Sequence, residues 1–296
     1  MEITDDAVRA ACRARTVTLP GGVTVPQLGQ GTWKMGEHPS SRARELEALR
    51  TGVGLGMTLI DTAEMYGEGN SEQLIGEAIR GMRRDELFLV SKVYPRNAGG
   101  ARMIDSCKAS LRRLGVDYLD LYLLHWRGGY PLSETVACFE QLMSEGLIRA
   151  WGVSNFDTAD MQELWRTPGG DRCALNQVLY HLGSRGVEYD LLPWMRAHHV
   201  PLMAYCPVAQ GGSLRSALLK NAEVSAVARR HGLTPIQVLL CFVLSREDVI
   251  TIPKAASAAH VRLNAQTALM PLTKAELAAL SAAFPAPSRK TALDIV

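Results

Sequence analysis

The chain has few features of a secreted, membrane or nucleic-acid-binding protein. Its 296 residues include six cysteines, and none forms a CxxC pair, so no disulfide framework or metal site is indicated. No apolar run approaches the ~20 residues that cross a bilayer, and the acidic start lacks a signal peptide's basic and apolar segments. Its 32 Lys and Arg against 30 Asp and Glu form no dense basic block. We expect a cytoplasmic protein with no nucleic-acid or membrane partner.

Short apolar runs that end in a polar or reactive residue recur along the chain. They end at Asp61, Lys92, His125, Asn155, Gln177, Tyr205 and Lys254. Most of the intervals are near the roughly 30 residues that one strand and its returning helix occupy. This period predicts an α/β fold, a (β/α)8 TIM barrel whose catalytic residues gather at the carboxyl ends of the strands. We predict one barrel domain over residues 1–296, working as a monomer.

Helical periodicity follows the predicted strands. The helices are predicted at 41–55, 71–81, 103–114, 134–145, 158–165, 189–198, 223–231 and 235–244. Residues 16–25 alternate around Pro20-Gly21-Gly22, which predicts an N-terminal β-hairpin that plugs the lower end of the barrel. Residues 1–15 precede it as a polar extension, and an extra C-terminal helix is predicted at 274–283.

The glycine cluster at residues 52–56 has the spacing of a dinucleotide-binding loop but the wrong context. That motif follows a strand and opens a helix, whereas these glycines follow a predicted helix and precede a predicted strand. Glycine readily takes the left-handed conformation that ends helices. We interpret the cluster as a helix terminus, so any nucleotide binds without a Rossmann fold.

Asp61, Tyr66, Lys92 and His125 together suit the reduction of a carbonyl group. Tyrosine is a poor acid at neutral pH because its ordinary pKa is about 10, so a proton-donating tyrosine needs a nearby cation. Lys92 is that candidate cation, and Asp61 can keep it charged and oriented. Tyr66 would then protonate the substrate oxygen while hydride arrives at carbon, and His125 would hydrogen-bond that oxygen.

Several stretches resemble, in order and spacing, the signatures of the aldo-keto reductases. They are LIDTAEMYG at 59–67, GNSE at 69–72, VSK at 90–92, LDLYLLH at 119–125, GVSNF at 152–156, NQ at 176–177 and IPK at 252–254. The resemblance covers residues 16–290. SKVYPRNAGG at 91–100 and KTALDIV at 290–296 resemble the bacterial YeaE-type branch, associated with methylglyoxal reduction. The resemblance to the aldo-keto reductases implies a barrel that binds NADPH in an extended form, with Asp61, Tyr66, Lys92 and His125 as the catalytic tetrad.

The resemblance also implies the cofactor contacts. Ser154, Asn155 and Gln177 would hold the nicotinamide carboxamide, on which Tyr205 would stack. Lys254 would bind the 2′-phosphate, with His260 and Asn264 at the adenine. Contacts to the pyrophosphate and the rest of the cofactor would come from Gly31, Thr32, Trp33, Cys206, Pro207, Gly211, Gly212 and Ile252.

Four positions depart from the commonest family pattern. Ala255 stands where a hydroxyl residue usually supplements 2′-phosphate binding, His260 replaces an arginine, and Leu263 replaces a glutamate. We expect NADPH to remain the cofactor, with weaker discrimination against NADH. The fourth departure is Cys206, where serine is common.

The substrate pocket is predicted to be apolar with one cationic edge. Its expected lining is Trp33, Met65, Tyr94, Trp126 and Arg127. Such a pocket favours small aldehydes and dicarbonyls such as methylglyoxal. Three alternatives stay open: a keto-acid or diketogulonate-type reductase, in which Arg127 would reach a carboxylate; an aldolase or lyase with Lys92 as a Schiff-base amine; and a regulatory subunit that binds NADPH with little catalysis.

Overall fold

The computed structural model describes residues 3–296, in which parallel strands form a barrel surrounded by helices. The strands are β1 Thr16–Thr18, β2 Thr24–Pro26, β3 Gln30–Gly31, β4 Leu59–Asp61, β5 Phe88–Val93, β6 Leu119–Leu124, β7 Ile148–Ser154, β8 Asn176–Leu179, β9 Leu202–Tyr205 and β10 Val249–Thr251. The α-helices are α1 Asp5–Ala14, α2 Arg42–Gly54, α3 Asn70–Ala78, α4 Gly100–Leu114, α5 Leu132–Ser144, α6 Thr158–Arg166, α7 Leu191–Ala197, α8 Gly212–Lys220, α9 Ala222–His231, α10 Pro235–Leu244, α11 Ala258–Gln266 and α12 Lys274–Ala283. Within this range, no helix is long and apolar enough to cross a membrane.

Strands β3 to β10 pair in sequence order, and each pairing is parallel. Backbone hydrogen bonds close the sheet on itself between its first and last strands. The amide of Gly29 donates to the carbonyl of Thr251 at 2.9 Å, and the amide of Thr251 donates to the carbonyl of Gln27 at 2.7 Å. The predicted (β/α)8 barrel is confirmed.

The first barrel strand, β3, is the one that the apolar runs do not show. It has only two residues, one of them a glycine, so no run of strand-forming side chains marks it. Gly31 is required there because a Cβ atom would lie 2.7 Å from the carbonyl oxygen of Ile252. β8 also starts later than its apolar run indicates, which puts Gln177 inside the strand rather than after it.

The hairpin of β1 and β2 closes the lower end of the barrel, as predicted. Its strands pair in antiparallel register, with Val17 opposite Val25. Both valines and Leu19 are buried, and they form one apolar cluster with side chains from inside the barrel. Those barrel side chains include Leu59, Val90, Leu121, Leu175, Met203 and Ile250. The hairpin therefore closes the barrel at the end opposite the carboxyl ends of its strands.

Helix positions agree with the sequence pattern at nine places, including α12, and differ at three. Residues 1–15 are not merely a polar extension, because α1 forms within them with Thr4 as its N-cap. α8, which begins at Gly212, and α11 have no predicted counterparts. The glycine cluster does end a helix: α2 stops at Gly54, and Gly56 has φ of +89°.

Gly56→Ala should destabilise the fold by about 1–3 kcal/mol. The left-handed conformation strains any side chain, and the added Cβ would lie 3.0 Å from the carbonyl oxygen of Arg9 and 3.1 Å from Cβ of Cys12. Gly54→Ala is the matched control, because a Cβ there would meet nothing within 4 Å. Urea denaturation measures both free energies of unfolding, and an equal, small change in the two would contradict the prediction.

Candidate active site

The predicted catalytic side chains meet at the carboxyl ends of β4, β5 and β6. Asp61 is the last residue of β4, Lys92 lies near the end of β5, and His125 directly follows β6. Tyr66 reaches the same point from the loop after β4. Its ring lies 5.7 Å from that of His125, centroid to centroid, in an edge-on arrangement. The parallel register therefore brings together residues that are far apart in the chain.

The Lys92 ammonium group is the centre of this cluster. Its Nζ donates to Oδ2 of Asp61 at 2.8 Å, to the carbonyl oxygen of Thr62 at 2.7 Å and to the hydroxyl of Tyr66 at 3.3 Å. The lysine is fully buried, with 0% of its surface exposed, and Asp61 is 2% exposed. A buried charge is costly unless it is paired and hydrogen-bonded, and here three oxygens surround one ammonium group.

Burial sets the direction of each pKa shift in the cluster. It lowers the pKa of Lys92 and raises that of Asp61, and the opposite charge of the other residue counters each shift. Burial also raises the pKa of Tyr66 well above its usual value, and the negative charge of Asp61 adds to the effect. The expected phenolate-favouring effect of Lys92 is therefore outweighed, and Tyr66 keeps a proton to donate at neutral pH.

The His125 imidazole stays neutral at physiological pH. Burial lowers its pKa to about 2, and the positive charge of Lys92 contributes. Its Nδ1 is buried without a hydrogen-bond partner among residues 3–296. A neutral imidazole carries one N–H donor and one acceptor nitrogen, so this ring can donate to a substrate oxygen without bringing a charge.

A second group of polar side chains lies at the ends of β7, β8 and β9. The amide nitrogen of Asn155 donates to the carbonyl oxygen of His125 at 3.2 Å, and its Oδ1 accepts from the hydroxyl of Tyr205 at 2.8 Å. Asn155 has a left-handed φ of +59°, which is sparsely populated and costly outside a fixed environment. The Ser154 hydroxyl donates to the carbonyl oxygen of Gln177 at 2.9 Å.

Gln177 links this second group to the cluster around Lys92. Its Nε2 donates to Oδ1 of Asp61 at 2.8 Å and contacts the sulfur of Met203 at 2.9 Å. Gln177 and Met203 are register partners on β8 and β9, which explains that contact. The Asp61 carboxylate is thus held at both oxygens, one by Lys92 and one by Gln177.

The residues after β3 support the cluster from the other side. The hydroxyl of Thr32 donates to the carbonyl oxygen of Asp61 at 2.9 Å and accepts from Ser71 at 2.8 Å. It is fully buried, so its hydroxyl is used within the protein and is not free for a cofactor. Ile252 and Pro207 are buried at neighbouring strand ends.

Positive charge is available around the ends of β9 and β10. Lys254 is exposed and forms no ion pair with any carboxylate in the described part of the chain. It follows β10 and precedes α11, which carries His260 and Asn264 and is capped by the hydroxyl of Ser257. Gly211 and Gly212, before and at the start of α8, leave open space around their backbone.

The Cys206 thiol is a weak nucleophile at neutral pH. Burial raises its pKa to about 11, and the positive charge of Arg215 partly opposes that shift. Arg215 lies in the first turn of α8 and is a cation near this strand end that the sequence motifs do not reveal. Reactivity follows the thiolate fraction, so the structure favours an inert Cys206.

The aromatic residues predicted for the substrate pocket include a pair that lies against His125. The rings of Tyr94 and Trp126 meet edge-on at 5.1 Å, and Trp126 lies 4.8 Å from the ring of His125. Trp33 is half-buried and Met65 is 40% exposed. Arg127 is already paired, with its guanidinium 2.7 Å from Glu163 and 3.8 Å from Asp160.

Glu72 explains the GNSE motif that has no role in the predicted tetrad. Its carboxylate is fully buried, accepts from the Ser91 hydroxyl at 2.6 Å and pairs with the Arg113 guanidinium at 2.5 Å. Ser91 immediately precedes Lys92, so this network fixes the strand on which the lysine lies. The carbonyl of Thr62 is a second missed contributor, because a backbone oxygen leaves no signal in the residue type.

Comparison with known proteins places these features in one family. The model of the aldo/keto reductase family matches residues 27–284. Methylglyoxal reductase YeaE of Escherichia coli (strain K12) is 58% identical over 282 residues, which cover 95% of this chain and 99% of the relative. Glyoxal reductase of Bacillus subtilis (strain 168) is 33% identical over 252 residues, 84% of this chain and 86% of the relative.

Solved structures agree with the sequence matches. An aldo/keto reductase from Klebsiella pneumoniae, crystallised in complex with NADP and acetate, superposes with a TM-score of 0.92 at 54% identity, covering 95% of this chain and 99% of that chain. A second structure of a Klebsiella pneumoniae aldo-keto reductase, in complex with NADPH, gives the same values. The chain belongs to the aldo/keto reductase family.

Proposed function

We propose that this protein is an NADPH-dependent reductase of small aldehydes and dicarbonyls such as methylglyoxal. The observation that carries the proposal is the cluster at the carboxyl ends of the strands, in which the Tyr66 hydroxyl lies 3.3 Å from the Lys92 ammonium. The similarity to a methylglyoxal reductase supports the substrate class. Asp61, Tyr66, Lys92 and His125 are the proposed catalytic residues.

The chain's own residues suit the two ends of NADPH. Asn155, Ser154 and Gln177 offer amide and hydroxyl groups, which match a carboxamide that both donates and accepts, and the half-buried ring of Tyr205 offers a stacking surface. Lys254 offers an exposed cation for the 2′-phosphate, and His260 and Asn264 are on α11, the next helix along the chain. When bound, NADPH supplies the hydride that reduces the carbonyl carbon.

Proton transfer to the substrate oxygen is the task of Tyr66. The phenol holds its proton at neutral pH because burial raises its pKa. As the proton leaves, negative charge develops on the phenol oxygen, and the Lys92 ammonium at 3.3 Å stabilises it. Asp61 and the Thr62 carbonyl hold Lys92 in place, so no reorganisation is needed at that moment. His125 donates an N–H to the same substrate oxygen and orients it.

The position of Lys92 argues against the aldolase alternative. A Schiff-base lysine needs an accessible, neutral amine, whereas this ammonium is fully buried and donates to three oxygens. The pairing of Arg127 argues against a keto-acid reductase, because Glu163 and Asp160 already neutralise the cation that would bind the substrate carboxylate.

The remaining assignments are part of the same proposal. The proposed catalytic side chains all belong to this one chain, and we propose a monomer in the cytoplasm. One domain over residues 1–296 stays a prediction. The alternative of a regulatory subunit predicts the same NADPH binding, and it differs from the reductase only in having little turnover.

The deciding experiment follows NADPH absorbance after methylglyoxal is added to the protein. We expect turnover by the wild type and a loss of at least about a hundredfold in kcat for Tyr66→Phe, because general acid catalysis contributes about 10²–10⁴. NADPH binding should stay close to normal. Tyr189→Phe, at an exposed tyrosine, is the matched control. Binding without turnover in the wild type would support the regulatory alternative, and normal turnover by Tyr66→Phe would refute the acid assignment.

Substrate preference is tested by comparing kcat/KM on methylglyoxal, xylose and a diketogulonate. Methylglyoxal should have the highest kcat/KM, because the aromatic side chains of Tyr94 and Trp126 offer few hydrogen-bond partners for sugar hydroxyls. Polar groups that stay unpaired are costly to desolvate. A sugar or keto acid that exceeds methylglyoxal tenfold, about 1.4 kcal/mol in transition-state binding, would overturn this preference.

Lys254→Ala should raise KM for NADPH about tenfold and leave KM for NADH within about twofold, because only NADPH has the 2′-phosphate. Lys274→Ala, at an exposed lysine on α12, serves as the control for loss of surface charge. Equal changes for the two cofactors would show that Lys254 has a structural role instead.

A further inference from the structure

Helix α1 lies against two helices of the barrel, α2 and α11. Its apolar face is almost completely covered, since Val8 is 2% exposed and Cys12 is 1% exposed. These side chains belong to an apolar cluster that includes Val261 and Ala265 of α11 and Ala48 of α2. The sequence before the hairpin is thus an integral part of the packing between these helices.

Polar contacts attach α1 and the residue after it to both neighbours. The Arg9 guanidinium donates to the carbonyl oxygen of Gly54, the last residue of α2, at 2.6 Å. Arg15, just after α1, donates to the carbonyl oxygen of Ala268, just beyond α11, at 2.8 Å. Asp5 pairs with Arg262 of α11 at 2.5 Å, and the Cys12 thiol lies 3.6 Å from the carbonyl oxygen of Ala265.

The backbone of α2 is adapted to this contact. Gly56 follows α2 with a left-handed φ, and a Cβ there would meet the Arg9 carbonyl oxygen at 3.0 Å. The close approach of α1 therefore depends on a glycine whose conformation also ends α2. α2 and α11 also pack directly on each other, and the contacts of α1 brace this pair from the outer surface of the barrel.

Helix α11 presents different residues to α1 and to the proposed cofactor site. Arg262 and Ala265 contact residues of α1, and Val261 belongs to the same apolar cluster as Val8 and Cys12. His260 and Asn264, in contrast, are the residues assigned to the adenosine end of NADPH. A shift of the first set moves the second, because all five lie on nine residues of one rigid helix.

We propose that α1 is a positioning element for the cofactor, which holds α11 so that His260 and Asn264 meet the adenosine half of NADPH. The proposal rests on the proposed function, because it assumes that this chain binds NADPH. It acts on binding alone: α1 touches none of the tetrad, so hydride and proton transfer at saturating cofactor do not depend on it.

The test removes α1 and measures cofactor affinity apart from turnover. Residues 1–14 are deleted, and Val8→Ala loosens the same contact in the full chain. Adenosine 2′,5′-bisphosphate, which carries only the adenosine end of the cofactor, and NADPH are titrated by fluorescence at 15 °C. We expect the Kd of both ligands to rise at least fivefold in the deletion variant and about twofold in Val8→Ala, with kcat at saturating NADPH within twofold of wild type.

Leu280→Ala is the matched control for general loss of stability. Leu280 is fully buried in α12, which packs against α9, and it belongs to a different apolar cluster from Val8 and Cys12. This variant should therefore unfold more easily yet bind the bisphosphate normally. An unchanged Kd in the folded α1 variants, or an equal rise in Leu280→Ala, would overturn the proposal. If the deletion variant does not fold, Val8→Ala decides.

A different experimental result would refute the proposed function. A wild-type protein that neither binds nor oxidises NADPH would refute the reductase assignment itself. A wild type that binds and oxidises NADPH, with α1 variants that bind the bisphosphate equally well, would refute only the role of α1.

Discussion

The buried Lys92 ammonium is the constraint on which the rest of the site depends. An ion pair away from water is stable only when its geometry is good and its remaining hydrogen bonds are made. Asp61, the Thr62 carbonyl and the Tyr66 hydroxyl together meet that requirement. Removing one partner would leave a charge uncompensated in a dry environment, so the four groups behave as one unit and the phenol oxygen stays beside a fixed positive charge.

The barrel makes this arrangement rigid. Asp61 and Lys92 are on adjacent parallel strands whose register is set by backbone hydrogen bonds, and Gln177 reaches the second oxygen of Asp61 from across the barrel. The network of Glu72, Ser91 and Arg113 fixes the outer side of β5, the strand that carries Lys92. Catalytic geometry supported by regular elements and surrounding hydrogen bonds is more precise than geometry on loops alone. The loops contribute Tyr66 and the aromatic side chains of Tyr94 and Trp126.

Much of the fold can be predicted from the sequence, because the spacing of strand ends depends on a strand and helix length that the barrel repeats. The clustering of Asp61, Tyr66, Lys92 and His125 can also be predicted, since their residue types are chemically complementary. Asp61, Lys92 and His125 stand at the ends of successive strands, and Tyr66 follows in the loop after the first of them. β3 cannot, because two residues form no pattern. α1 is hidden by its polar surface, with only Val8 and Cys12 marking its buried face. The pairing of Arg127 with Glu163 is equally hidden, because side-chain pairing between a loop and a helix has no sequence period.

The coupling of Asp61 to Lys92 is the central claim, and a double-mutant cycle on kcat/KM with methylglyoxal and NADPH tests it most directly. The cycle compares Asp61→Asn, Lys92→Met and the combined variant, because residues that act as a unit have strongly non-additive effects. We expect the combined variant to be no worse than Lys92→Met alone, since Asp61 acts through the lysine. Losses that multiply in the combined variant would show that the two residues act independently and would contradict a mechanism in which Asp61 works by holding Lys92.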